Sequence, residues 1–387
     1  MRKIFGVLTF MAAISILPML VNAQATTIPA ATTTAPDYEA LEKSAVKGNA
    51  SALAQLQTAA KSGDADAQYN LSAYYYLNNQ YADAFKWSQK ASEQGNADAE
   101  DNLGMLYARG LGTKQNYTQA FYWFQKVAEQ GIPGAEANLG ALYAEGLGTK
   151  RNDLQAFYWF QKAAERGNAE GENNLGADYA HGQLMPQDYS QAFKWYQKAA
   201  EQGYAVAETN LGSLYEHGQG TPQDYNQAFN WYRQAAEQGD ALAENDLGAF
   251  YERGLGTFQD YTLAFNWYQK AAEQGFVVAE VNLGVLYAKG QGTQIDYREA
   301  FNWIQKAVAQ GSPDGENSLG FLYLQGYGTP RDYIHAFNLF QKAAAQGNAN
   351  ACLNLSYMYS KGLGVAKDQQ KAQYWADRAQ QLQSNGN

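Results

Sequence analysis

Seven glutamates, Glu100, Glu136, Glu172, Glu208, Glu244, Glu280 and Glu316, stand 36 residues apart in a regular series of carboxylates. Paired carboxylates hydrolyse glycosidic bonds with inversion when set about 6.5–9.5 Å apart. Helices packed side by side lie about 8–10 Å apart, which suits that separation but is too wide for two neighbours to ligate one metal ion. A carboxylate repeated identically in every unit is more simply read as structural, stabilising helix starts or bonding neighbouring backbone. His181 and His217 take equivalent places before Gly182 and Gly218, where Arg109, Arg253, Lys289 and Lys361 stand in other units. A positive or dipolar group there complements a helix C-terminus. His335 lies far off, and Cys352 is the sole cysteine, so there is no zinc spacing and no Ser/His/Asp set. Gly-x-Gly-Thr loops follow helices and lack Gly-Lys-Ser/Thr, so they are not phosphate loops. No catalytic residue, metal or cofactor is assigned, and the expectation is a protein that is not an enzyme.

The elements that carry these residues repeat as well. Leu103-Gly104 returns at Leu139, Leu175, Leu211, Leu247, Leu283 and Leu319, each followed by glycine, and Leu355-Ser356 keeps the register. A fixed period of this size marks stacked supersecondary units, none of which buries its apolar face alone. In one unit, Asn96 caps a first helix whose Ala99, Leu103, Leu106 and Tyr107 form an amphipathic stripe. Glycine inside a helix costs about 1 kcal/mol relative to alanine, so the recurrent Gly104 implies close approach by a partner helix. Gly110 ends the helix and Gly112 turns the loop. A second helix starts near Tyr117, with capping-box spacing in Asp188-Tyr189-Ser190-Gln191, Asp224-Tyr225-Asn226-Gln227 and Asp296-Tyr297-Arg298-Glu299. Gly131 stops it. Nothing favours a strand, and the fold class is an all-α solenoid of antiparallel helix pairs.

All eight tryptophans follow the register, with Leu339 in the vacant slot. They are read as wedges between repeats rather than sugar platforms, since a recognition aromatic need not return in every unit. Asn70, Asn102, Asn138, Asn174, Asn210, Asn282 and Asn354 form another column. Asparagine is a poor helix former, which suggests buried amides bonded to loop backbone, or alternatively a clamp on a bound peptide.

The ends differ. Arg2 and Lys3 precede an apolar run to Val21, and Val21-Asn22-Ala23 has small residues where a signal peptidase cuts, so residues 1–23 read as a signal peptide. Residues 24–36 read as a Thr/Ala/Pro linker, 37–63 as a degenerate capping helix pair with Leu56 at the anchor position, 64–382 as nine repeats and 383–387 as a tail. Removing the leader takes two from the 28 basic residues and none from the 38 acidic ones, leaving −12. Such a chain is repelled by phosphate backbones and anionic lipid, which argues against nucleic-acid and membrane partners. Cys352 lies too far from the cleavage site to carry a lipid anchor, and one cysteine forms no internal disulfide. The expected location is the periplasm or the secreted space, and the expected state is a monomer.

The assembled pattern is Leu-Gly-x-Leu-Tyr, Gly-x-Gly-Thr, Asp-Tyr, then Ala-Phe-x-Trp-Tyr/Phe-x-Lys-Ala-Ala-Glu-Gln-Gly. It resembles the Sel-1-like repeat, a relative of the tetratricopeptide repeat, over about 320 residues. The resemblance implies a right-handed superhelix acting as scaffold or adaptor for protein contacts. Exported bacterial members are similar to factors in envelope assembly, exopolysaccharide regulation and host interaction. Asp153, Asp178 and Leu184-Met185-Pro186 depart from the pattern, which suggests local looseness over residues 150–190. A cysteine-rich branch, with a disulfide per repeat, is credited with β-lactam-related activity; Cys352 alone does not supply that pattern.

The columns of residues 98, 101, 105 and 108 vary between units and share one face of the first helix. Early units place Asp98, Asp101, Glu170 and Asn173 there; later units place Val206, Leu242, Val278, Val281, Val285, Phe321, Leu324, Leu353 and Tyr357. In a superhelix of this kind the first helix tends to line the concave side, and an apolar groove there suits a partner helix or extended peptide. The same spacing also suits packing between neighbouring repeats. The expected function is a non-enzymatic adaptor for a protein or peptide. The alternatives are a cell-wall or polysaccharide binder and a β-lactam or peptidoglycan hydrolase.

Overall fold

The computed structural model describes residues 36–385 other than Gln183. The proposed signal peptide, nearly all of the linker and the last two residues lie outside that range. Twenty helices and no strand occur among the described residues. They form two compact units divided at Ala199–Ala200.

The first unit opens with α1 (Tyr38–Val46) and α2 (Ala50–Ser62), followed by the pairs α3 (Ala65–Leu77) with α4 (Tyr81–Ser92) and α5 (Ala97–Arg109) with α6 (Tyr117–Ala128). Next come α7 (Pro133–Glu145) with α8 (Asp153–Glu165) and α9 (Ala169–His181) with α10 (Tyr189–Glu201). The second unit holds α11 (Ala205–His217) with α12 (Tyr225–Glu237), α13 (Ala241–Arg253) with α14 (Tyr261–Glu273) and α15 (Val277–Lys289) with α16 (Tyr297–Ala309). It ends with α17 (Pro313–Gln325) and α18 (Tyr333–Ala345), then α19 (Ala349–Lys361) and α20 (Gln369–Asn385). The chain is an all-α solenoid of helix pairs.

The punctuation acts as its chemistry requires. Asn96, Asn116, Asp224 and Asp296 each accept backbone N–H bonds at helix starts, satisfying donors that have no partner inside the helix. Gly110 ends α5 at φ +68, the left-handed cap that glycine alone adopts without strain. Gly112 serves a second purpose: a Cβ there would lie 2.0 Å from the carbonyl oxygen of Tyr81 on the preceding pair. The loop therefore seats directly on the start of an earlier second helix.

The Leu-Gly anchors explain themselves in the same way. A Cβ on Gly104 would lie 2.8 Å from the ring of Phe124, and one on Gly248 would lie 2.8 Å from the ring of Tyr268. Each glycine makes room for a large residue on its partner helix, and the anchor leucines Leu103, Leu139 and Leu247 are essentially fully buried beside it. Burying each leucine contributes about 1.5–3 kcal/mol, which offsets the helical cost of the glycine. In α3 the glycine is replaced by Ser72 and the ring by Ser88, whose hydroxyls lie 2.7 Å apart. A small residue on one helix thus answers the size of its partner on the other.

The tryptophans pack between repeats, and all but the buried Trp87 are half-buried rather than sealed. Trp159 lies against the cluster that contains Phe124 and Leu139, and Trp303 against the one containing Tyr268 and Leu283. A lysine one turn on covers the exposed side of several: Lys270 Nζ sits 3.8 Å from the Trp267 ring centre and Lys306 Nζ 3.5 Å from that of Trp303, a cation–π contact.

Candidate functional site

The glutamate series is a latch, and its partner is a side chain that was not anticipated. Glu100, Glu136, Glu172, Glu208, Glu244, Glu280 and Glu316 are all buried. The helices of a pair are antiparallel, so the end of the second lies beside the start of the first. There Gln238, Gln274, Gln310 and Gln346 donate to Glu208, Glu244, Glu280 and Glu316 at 2.8, 2.8, 3.0 and 2.9 Å. Glu100 receives Lys126 Nζ at 2.7 Å as well as Gln130 at 3.5 Å, and Glu136 faces Arg166 at 3.4 Å. Burial raises the carboxyl of Glu244, while Gln274 and Lys270 pull it down. The first pair has Gln68 in the glutamate's place, accepting from Gln94 at 2.9 Å. The last has buried Cys352, with Leu382 against the same cluster. Of the two expectations, helix-start stabilisation or bonds to backbone, the second is corrected: the partners are side chains of the second helix and its end, at four of the glutamates the amide of the recurrent Gln-Gly thirty residues downstream.

The asparagine column is also corrected. Its members are half-buried rather than buried. Two reach the preceding first helix: Asn282 donates to Asn245 at 3.0 Å and Asn354 to Asn317 at 2.9 Å. Asn70 turns back on its own helix, donating to the Asp66 carbonyl.

The variable columns separate into three environments in the second unit. Val278, Phe321, Leu353 and Tyr357 are exposed, by 52, 43, 45 and 48 %. Val206, Leu242 and Val285 are half-buried. Val281 and Leu324 are buried and present no side chain to a partner. Val281 shares its column with Ala137, Asn173, Thr209 and Asn245, all buried too. Leu324 occupies the position held in other pairs by Glu216 and Glu252, which accept the hydroxyls of Tyr232 and Tyr268 at 2.9 Å. At Phe340, whose ring carries no hydroxyl, the acceptor gives way to leucine, and Leu324 joins Phe340 in one cluster.

Two aromatics beside this face were missed. Tyr327 stacks on Tyr297 with ring centres 4.3 Å apart, and Phe321 meets the edge of Tyr327 at 6.5 Å. The available signal was Tyr327 itself, standing in a loop position that elsewhere holds leucine or glutamine.

The first unit has a different first-helix face. Arg109 is the only lysine or arginine on α3, α5, α7 and α9. Asp101 and Glu170 are each pushed up to about 7, by burial first and then by a neighbouring carboxylate, Asp98 for the former and Asp101 for the latter. Asp178, on the unbroken helix α9, is likewise pushed up to about 7 by burial and by Asp153.

Nine consecutive segments, residues 65–96, 97–132, 133–168, 169–204, 205–240, 241–276, 277–312, 313–348 and 349–382, match the Sel1 repeat. The chain belongs to the Sel1 repeat family. Members of this family are generally protein-interaction scaffolds, and their solenoid is typically non-catalytic. Among solved structures, the chain is similar to c5321, described as a protective antigen present in uropathogenic Escherichia coli strains and displaying an SLR fold. The two are 31% identical, over 86% of this chain and 90% of that one, with a TM-score of 0.48. It is also similar to a Sel1 repeat protein from Oxalobacter formigenes, at 29% identity over 86% and 98% of the two chains, with a TM-score of 0.53. No curated protein matches the sequence. No helix among the described residues is long and apolar enough to cross a membrane.

Proposed function

We propose that this Sel1 repeat protein is a non-enzymatic adaptor of the bacterial envelope or secreted space, holding a protein or peptide against the first-helix face of residues 200–387. The observation that carries this reading is the exposure of Val278, Phe321, Leu353 and Tyr357. They stand at variable registers of α15, α17 and α19, while the anchor leucines Leu283, Leu319 and Leu355 of those helices are buried. Exposed apolar groups gathered on one kind of helix face suit an amphipathic helix or an extended apolar segment. A scaffold held rigid by its own latches orders little on binding. Val206, Leu242 and Val285 flank these four, and the Tyr297–Tyr327 stack adds a flat aromatic edge. The apolar run before Ala23 favours export.

Site-specific photo-cross-linking tests this. A benzophenone side chain at position 321 or 357 is expected to trap one protein species in envelope extracts. The same group at Phe258, which is 93 % exposed in a loop, is expected to trap none. Equal trapping at all three positions would sink the assignment of the face.

A second reading, as a polysaccharide binder, draws on Tyr122 and Tyr158. Both are exposed and meet the edges of Trp123 and Trp159 at 5.0 and 5.1 Å. Sedimentation with purified wall polymer, with and without muramidase digestion, separates it from the adaptor.

A further inference from the structure

The first-helix face of residues 200–387 carries a charged rim that apolar contact alone leaves unused. One register ends each first helix, four residues after the one that holds Val285, Phe321 and Tyr357, and so lies on the same face. In the second unit it holds His217, Arg253, Lys289, Gln325 and Lys361. Arg253, Lys289 and Lys361 are exposed. A cation there complements a helix C-terminus, yet α7 and α17 end on Glu145 and Gln325 with the same left-handed glycine cap. The scaffold does not require the charge.

Other cations at this register and on the second helices are engaged by the fold. Arg109 donates to the Tyr76 hydroxyl at 3.1 Å, and the His217 ring meets the Ser213 carbonyl at 2.9 Å. Lys270 and Lys306 lie over tryptophan rings. The side chains of Arg253, Lys289 and Lys361 have no hydrogen bond, ion pair or ring contact among the described residues. The acids of the same first helices are the reverse case. Besides the latched glutamates, Glu252 takes the Tyr268 hydroxyl at 2.9 Å, Asp246 the Asn245 amide at 3.1 Å and Asp314 the Asn348 amide at 2.7 Å. What remains free on this face is apolar surface and positive charge, in a chain whose net charge is −10.

We propose that the segment held by this face is an acidic amphipathic one, whose apolar side chains lie on Val278, Phe321, Leu353 and Tyr357 and whose aspartates or glutamates meet Arg253, Lys289 and Lys361. This inference rests on the adaptor reading and adds the partner's charge to it. Complementary charge at the rim of an interface gives selectivity and faster capture more than raw affinity, and it repels a segment that carries lysine in the same place. An anionic bilayer also offers apolar depth and negative charge, but it meets the acids of the whole chain as well, which a short segment does not.

The test is fluorescence anisotropy on the purified full chain with labelled amphipathic peptides, identical in a leucine and phenylalanine face and carrying glutamate, glutamine or lysine along its flank. Wild type is expected to bind the glutamate peptide about tenfold more tightly than the lysine peptide, with glutamine between, and to lose that preference as salt is raised. Arg253→Gln with Lys289→Gln and Lys361→Gln is expected to weaken the glutamate peptide about tenfold and to bind all of the peptides alike. Lys86→Gln with Lys114→Gln and Lys150→Gln, at exposed positions of the first unit, changes net charge equally and is expected to stay within about twofold of wild type. Phe321→Ser with Tyr357→Ser is expected to weaken every peptide. A glutamate peptide bound no better than the lysine one, or equal loss in the two triple variants, would overturn the acid preference while leaving the apolar face in place. Undiminished binding in Phe321→Ser/Tyr357→Ser would instead remove the face itself. Co-flotation with phosphatidylglycerol vesicles, lost in the Arg253/Lys289/Lys361 variant, would also overturn the proposal, by assigning the rim to lipid.

Discussion

The two units use the same latches and anchors but offer different first-helix faces. Residues up to Ala199 present Asp98, Asp101 and Glu170; residues from Ala200 present Val278, Phe321, Leu353 and Tyr357. The glycine facing a ring and the loop glycine seated on a carbonyl are common to both, and the buried glutamate is met from the second helix in both, through a glutamine in the second unit and through Lys126 with Gln130, or Arg166, in the first. Columns needed by the scaffold are held fixed, and columns it does not need diverge in charge and polarity. Stability and partner choice therefore reside in different residues of the same helices.

That division can be broken most forcefully at an anchor. Gly248→Leu would drive a side chain into the Tyr268 ring, 2.8 Å from where its Cβ must lie. Overpacking of this kind costs about 1–3 kcal/mol, and a helix that must move costs more. Thermal denaturation is expected to show the largest fall of any single change here. Combining Gly248→Leu with Tyr268→Ala is expected to recover part of it, and absence of any recovery would refute the pairing.

The latch comes next. Glu244→Leu removes the carboxylate acceptor and leaves the Gln274 amide only the Gly239 carbonyl at 3.2 Å, and is expected to lose about 0.5–1.5 kcal/mol in urea denaturation. Glu244→Gln is expected to be nearly silent, because Gln68 already accepts from Gln94 at the same place. A Glu244→Gln variant as damaged as Glu244→Leu would show that the charge, rather than the hydrogen bond, holds the pair.

A smaller effect distinguishes the acidic face. Asp101 and Glu170 have native pKa values raised to about 7, against about 4 in an unfolded chain. The native state then binds more protons than the unfolded state between those limits, so stability is greatest at low pH and declines as pH rises toward 7. Asp98, raised by burial and then by the charge of Asp66, adds to the same slope. Asp101→Asn/Glu170→Gln is expected to flatten that decline and raise Tm by about 2–4 °C at pH 8 while changing little at pH 4.5. An equal shift at both pH values would point to packing rather than ionisation.

The smallest change in stability is expected on the apolar face. Phe321→Ser with Tyr357→Ser should leave Tm within about 2 °C, as substitutions of exposed residues do, and should abolish the position-specific cross-link. A large drop in Tm would place these side chains in the packing and remove the candidate site.

Much of this architecture was legible in one dimension because the chain repeats itself. Leu103-Gly104 and its copies announce both period and close approach, and Asp224 or Asp296 announces the start of a second helix. The latch was not legible from either helix alone. Its two halves, Glu244 and Gln274, lie on different helices thirty residues apart, and only antiparallel pairing brings them together. The same holds for the variable face. Spacing puts Val281 and Phe321 on first helices at neighbouring registers, yet one is buried and the other exposed. Side-chain direction assigns a face, but burial depends on what the adjoining helix supplies. Leu324 shows this most clearly, since the loss of a hydroxyl between Tyr268 and Phe340 turns an acceptor position into core.

The joint between successive pairs, in which Gly256 abuts the Tyr225 carbonyl, recurs at Gly292 with Tyr261 and at Gly328 with Tyr297. Excising one full period between these joints is expected to bring the same glycine against the same tyrosine carbonyl and to keep a glutamate opposite a glutamine. A solenoid jointed in this way can lengthen or shorten by whole increments without a new kind of contact between its pairs.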